Sequence, residues 1–150
     1  MLILRKLYDF SLPSEDMVKI CILYIRSILE FNSNVWFSSI TQEEEDDLEC
    51  VQKVACRIIL NCEYENYSKS LAVLKLENLK IRRSRLGLTF AKKAVDNPKM
   101  KHHFSLNKNK EKIRNPEKFN VKFAHTSRLF NSTIPTVLRM LNDEHKKKKI

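Results

Sequence analysis

The chain has 150 residues, of which 43% are hydrophobic and 31% charged, the composition of one ordinary folded core and not of a disordered or membrane-embedded protein. Its single glycine, Gly87, excludes glycine-rich phosphate loops, dinucleotide fingerprints and most tight hairpins, which need several residues at positive φ. The formal net charge of +10 is unevenly placed: residues 1–96 balance 14 Lys and Arg against 14 acids, whereas residues 97–150 set 14 against four.

With only four prolines, long helices are the expectation. Leu2 to Phe10 reads as a short apolar and basic helix closed by Ser11-Leu12-Pro13. Ser14 can cap a longer helix whose first turn carries Glu15 and Asp16. At 100° per residue its polar residues Lys19, Arg26 and Glu30 fall in one narrow sector, so the pattern predicts a central helix packed on several sides. Asn32 to Ile40 breaks the period, and Val35, Trp36 and Phe37 are expected to fold back onto that helix.

Thr41-Gln42-Glu43-Glu44 is a capping box, and the helix it opens shows Leu48, Val51, Ala55, Ile58 and Ile59 on one stripe until about Asn61. A shorter element follows over 67–74, with Leu71 and Leu74 inward. The next helix, from about Glu77 to Val95, has apolar residues on two sides and a polar sector roughly 100° wide between them. That sector carries Arg82, Arg85, Lys92 and Lys93, while Arg83 falls beside an apolar stripe and is expected to pack or pair. Asp96-Asn97-Pro98 stops the helix. Residues 97–124 are lysine-rich with little periodicity and read as a basic, mobile linker. Residues 125–150 form an extension with a short amphipathic helix over 134–141 and the charged end Lys146 to Lys149. The fold class expected is all-α: a small bundle of about four to five helices with a basic, partly disordered C-terminal extension.

No catalytic constellation emerges. Asp46-Asp47 lies within six acids of a helix's first turns, where carboxylates answer the helix dipole and face water. His102-His103 and His125 have no ligand or nucleophile partner at a useful spacing. Cys21, Cys50, Cys56 and Cys62, spaced by 29, 6 and 6, fit no zinc pattern. The apolar N-terminal stretch stops at Arg5, too short for an export signal, so reduced thiols in an intracellular compartment, cytoplasmic or nuclear, are expected. No cofactor or metal site is expected, and no membrane. The strip Arg82, Arg85, Lys92, Lys93 points instead to phosphate contacts, since several fixed cations on one rigid helix each meet a different phosphate. No aromatic platform interleaves them, which favours tracking a duplex backbone over stacking on single strands.

The ordered set Tyr24-Ile25-Arg26-Ser27-Ile28-Leu29-Glu30-Phe31 with Val35-Trp36, then Leu48 to Ile59, Tyr67, the Leu71/Leu74/Leu76/Leu79 series and Arg82-Arg83, resembles the region after the palm in non-LTR retrotransposon reverse transcriptases of the jockey and related LINE-type groups. Thr126-Ser127-Arg128, Ser132-Thr133-Ile134-Pro135 and Leu141-Asn142 resemble that family's carboxyl end. Cys50 and Phe31 depart from the residues expected at those places, and nothing matches the Tyr/Phe-x-Asp-Asp motif. The resemblance implies a helical thumb of an RNA-directed DNA polymerase over residues 1–96, holding an RNA–DNA or RNA template–primer duplex and performing no catalysis alone. The parent enzyme would use Mg2+ through aspartates of a palm that this chain lacks, and the missing palm and fingers would be its partners. The alternatives are a non-enzymatic helical protein-interaction module and a pseudogene-derived remnant without function.

Overall fold

The computed structural model describes residues 1–107 and 117–147. Among them the fold is all-α: every regular element is helical, and the only pairing of extended backbone is an isolated antiparallel bridge between Leu106 and Phe119. In chain order the helices are α1 (Leu2–Asp9), α2 (Ser14–Ile20), α3 (Ser27–Leu29), α4 (Ser33–Trp36), α5 (Gln42–Leu60), α6 (Tyr67–Val73), α7 (Leu79–Asp96), α8 (Ser127–Phe130) and α9 (Thr133–Lys147). A π-helical turn over Cys21–Arg26 joins α2 to α3. The helices are therefore more numerous, and several of them shorter, than four or five. None of the described helices is long and apolar enough to cross a membrane.

The chain divides into two compact units. Met1–Ser33 with Thr41–Arg82 makes the first, and Asn34–Ile40 with the described residues from Arg83 onward makes the second. The division between the units falls between Arg82 and Arg83, within the sequence of α7.

In the first unit α5 is the central element. Thr41 Oγ1 accepts from the Glu44 N–H at 3.2 Å and Glu44 Oε2 from the Thr41 N–H at 2.7 Å, the reciprocal box that the sequence predicts. The helix ends at Asn61, whose positive φ of 41° breaks the helical path. The buried face of α5 carries Ala55, Cys56, Ile59 and Leu60, packed with Leu4 of α1, Met17 and Cys21, and Leu74 and Leu76. Each such Leu or Met contributes on the order of 2 kcal/mol of burial. The 14–29 stretch, expected to be enclosed, buries only Met17, Cys21 and Arg26, because α1 and α5 cover one side of it and leave the other to water.

The core of the second unit is Ala91 and Ala94 of α7, Val137, Leu138 and Leu141 of α9, and the rings of Phe104 and Phe119. These two rings come from the stretch read as a linker. Asn142, 2% exposed, fixes one of them: its Oδ1 accepts from the Phe119 N–H at 2.9 Å and its Nδ2 donates to the Phe119 carbonyl at 3.1 Å. A buried peptide needs both partners, and one amide side chain supplies them. The linker expectation for 108–116, and the Lys-rich end at 148–150, lie outside the described residues. Residues 34–40, expected to fold back onto the 14–31 helix, are grouped with this second unit, where Phe37 packs against the backbone of α7 at Gly87. The helix expected over 134–141 runs on to Lys147, with His145, Lys146 and Lys147 in its last turn, where cations answer the dipole.

Candidate nucleic-acid interface

The four cations of the strip all reside on α7, so the first question is what holds that helix. Its first four backbone N–H groups have no intrahelical acceptor. Asn78 serves two of them, its Oδ1 accepting from Lys80 at 2.9 Å and Ile81 at 3.2 Å, while its carbonyl accepts the first regular helical bond, from Arg82 at 3.0 Å. A third, Leu79 N–H, donates to Glu49 Oε2 at 3.1 Å. Glu49, 8% exposed, is held in turn by a hydrogen bond from the Tyr67 hydroxyl. Gln52 completes the network, donating to Tyr67 Oη at 2.9 Å and to the Glu77 carbonyl at 3.1 Å. A buried carboxylate at a helix N-terminus meets both its orphan donor and its positive dipole end. Sequence periodicity had placed neither Glu49 nor Gln52 on the inner face; the signal was there, since both continue the 55/56/59/60 stripe toward the N-terminus.

The strip residues then differ in their surroundings. Arg82, in the first unit, is ion-paired: its Nε lies 2.7 Å from Glu30 Oε1, with side chains 29% and 11% exposed. Glu30 is shared with Arg26, whose Nε lies 3.6 Å from the same oxygen. Burial, and next the Arg82 charge, pull the Arg26 guanidinium below its ordinary value, while Glu30 opposes both. Taking Arg82 away for a phosphate would leave this carboxylate with the more distant arginine alone. Arg82 is thus held in an ion pair within the first unit.

In the second unit Arg85 and Lys93 are exposed on α7. Lys92 Nζ sits 2.6 Å from Glu144 Oε1 of α9, with side chains 50% and 26% exposed. An ion pair that open to water is worth about 0–1 kcal/mol, so a phosphate can compete for Lys92. Arg85 and Lys92 are seven residues apart, two helical turns or about 10 Å along the axis, far enough to meet different phosphates. Arg83 is buried at 2% exposure with its guanidinium 5.8 Å from the centre of the Trp36 ring, the packed role its position beside an apolar stripe predicts. Sequence reasoning thus located the cations and sorted Arg83 from them, but could not see Glu30 or Glu144.

Among the described residues no three His, Cys, Asp or Glu side chains come together as a metal site. Asp46 and Asp47 stand exposed in the first turns of α5, and the rings of His102 and His103 meet on the surface at 3.8 Å between centres, tilted by 44°. Compared with models of known families, with curated proteins and with solved structures, the chain matches none.

Proposed function

We propose that this chain is a non-catalytic helical module that holds a nucleic-acid duplex by its phosphates, as the thumb region of a non-LTR reverse transcriptase would hold its RNA–DNA or RNA template–primer. The observation that carries the proposal is the group of exposed cations Arg85, Lys92 and Lys93 on a helix whose N-terminus is capped by Asn78 and Glu49, with the Lys92 pair to Glu144 open to exchange. The excess of 14 Lys and Arg over four acids in residues 97–150 adds sequence-independent attraction. Arg82, drawn into the Glu30 pair, contributes through the fold and not by touching the duplex.

The test is the affinity for an RNA–DNA hybrid measured across about 50 to 200 mM salt. Replacing Arg85 and Lys93 together by Ala is expected to weaken binding and to lower the slope of log affinity against log salt by about 0.9 for each phosphate no longer neutralised. Arg82→Ala is expected to leave that slope unchanged. A slope that ignores Arg85 and Lys93 overturns the assignment.

A further inference from the structure

We infer that the first unit carries a self-association surface, on which α1 and the α2–π-turn–α3 stretch of one copy pack against the same elements of a second copy of this chain. Leu2 and Ile3 of α1, Leu23 and Tyr24 of the π turn, Ile28 of α3 and Phe31 just beyond it are each between 66% and 78% exposed. Their exposed areas sum to on the order of 800 Å², close to each partner's share of a standard stable interface.

The π turn is what gathers them. A wider turn advances each residue by less than 100°, so the residues after it are rotated back relative to an uninterrupted α-helix. Ile28 and Phe31 thereby stay on the side of Leu23 and Tyr24. The Ser27 hydroxyl accompanies the turn, donating to the Leu23 carbonyl at 2.5 Å and to the Tyr24 carbonyl at 3.0 Å.

Two features favour a second copy as the occupant. The face offers a hole as well as knobs: an apolar groove of about 390 Å³ is walled by Leu7, Ile20 and Ile25 together with Ile3 and Tyr24, two of the exposed residues themselves. A two-fold interface requires that one patch supply both the knob and the hole. The two helices that carry the face also have no net charge, Arg5, Lys6 and Lys19 balancing Asp9, Glu15 and Asp16 on α1 and α2. Two like copies meet without net repulsion, whereas an anionic lipid surface finds no basic excess here to attract it.

The experiment is sedimentation equilibrium of the nuclease-treated full chain from about 1 to 100 μM, a range that brackets micromolar affinity. A reversible monomer–dimer equilibrium that persists at high salt is expected. The Ile28→Glu/Phe31→Glu variant is expected to be monomeric throughout with unchanged circular dichroism, and Ile28→Ser, a milder change at a residue 75% exposed, is expected to weaken the dimer at least tenfold. Arg85→Ala/Lys93→Ala is expected to dimerise as the wild type does, so this proposal and the nucleic-acid reading fail separately. A wild type that stays monomeric, a dimer indifferent to Ile28 and Phe31, or a monomer that binds neutral phosphatidylcholine vesicles would each overturn the inference.

Discussion

Gly87 is the chain's only glycine, and it sits within a helix, where glycine costs about 1 kcal/mol relative to alanine. The reason is a ring. A Cβ at this position would lie 2.6 Å from Phe37 Cζ and 3.0 Å from Cε1, closer than packed carbon atoms approach. Phe37 thus lies directly against the backbone of α7, and this packing helps hold residues 34–40 in the second unit. Gly87→Ala sets a propensity gain of about 1 kcal/mol against displacement of a half-buried ring, which costs about 1–3 kcal/mol. The expected outcome is a net loss of about 1 kcal/mol in urea unfolding. In a Phe37→Leu background the same substitution is expected to become neutral or stabilising, because the atoms it strikes are gone. A cycle showing no coupling between the two sites would contradict the notch. Sequence periodicity could not find this neighbour: 50 residues separate the partners, and a lone glycine in a helix carries no sign of what approaches it.

At the scale of elements, what could be read in advance was what is local. The capping box at Thr41, the stop after Asp96 and the burial of Arg83 each depend on neighbours within a turn or two, and their spacing is written in the chain. The ion pairs that reshape the candidate site are not of this kind. Arg82 with Glu30 and Lys92 with Glu144 are each separated by 52 residues, and a partner at that distance leaves no trace in a helical wheel. The support of α7 by α5 was hidden for the same reason, since Glu49 reaches across 30 residues to Leu79. Removing the charge of Glu49 tests that support. Glu49→Gln keeps the shape but offers one acceptor oxygen where the carboxylate serves the Tyr67 hydroxyl and the Leu79 N–H. Leaving a buried donor unpaired costs about 1–3 kcal/mol. The variant is expected to lose that much stability and to weaken protection of the Leu79 amide in hydrogen exchange, while the capping box at Thr41 keeps its protection.

At the scale of the whole molecule, ionisable chemistry is distributed unequally between the units. All four cysteines and all four tyrosines fall in the first unit, whereas the only tryptophan, Trp36, belongs to the second. Burial, and next its neighbour Cys21, push the Cys56 thiol from an ordinary value of 9.0 up to about 11. Burial likewise raises Cys21, and burial followed by the bond to Glu49 raises Tyr67. All three shifts have one sign: the native state keeps protons that the unfolded chain releases. Below about pH 9 both states hold the Cys56 proton and its effect on folding is constant; above that, ionisation favours the unfolded chain until the native thiol also titrates near 11. Stability is therefore expected to fall with rising pH through this window, with Cys56 alone accounting for about 2 kcal/mol by about pH 10.5. Urea unfolding under reducing conditions at about pH 8 and about pH 10.5 measures the loss. The discriminating comparison is Cys56→Ala, which lowers stability at both pH values through the cavity it leaves but is expected to shrink the difference between them by about 2 kcal/mol. A pH difference unchanged by that substitution would mean that the alkaline loss comes from charge repulsion over the whole chain and not from a thiol sealed in the core of the first unit.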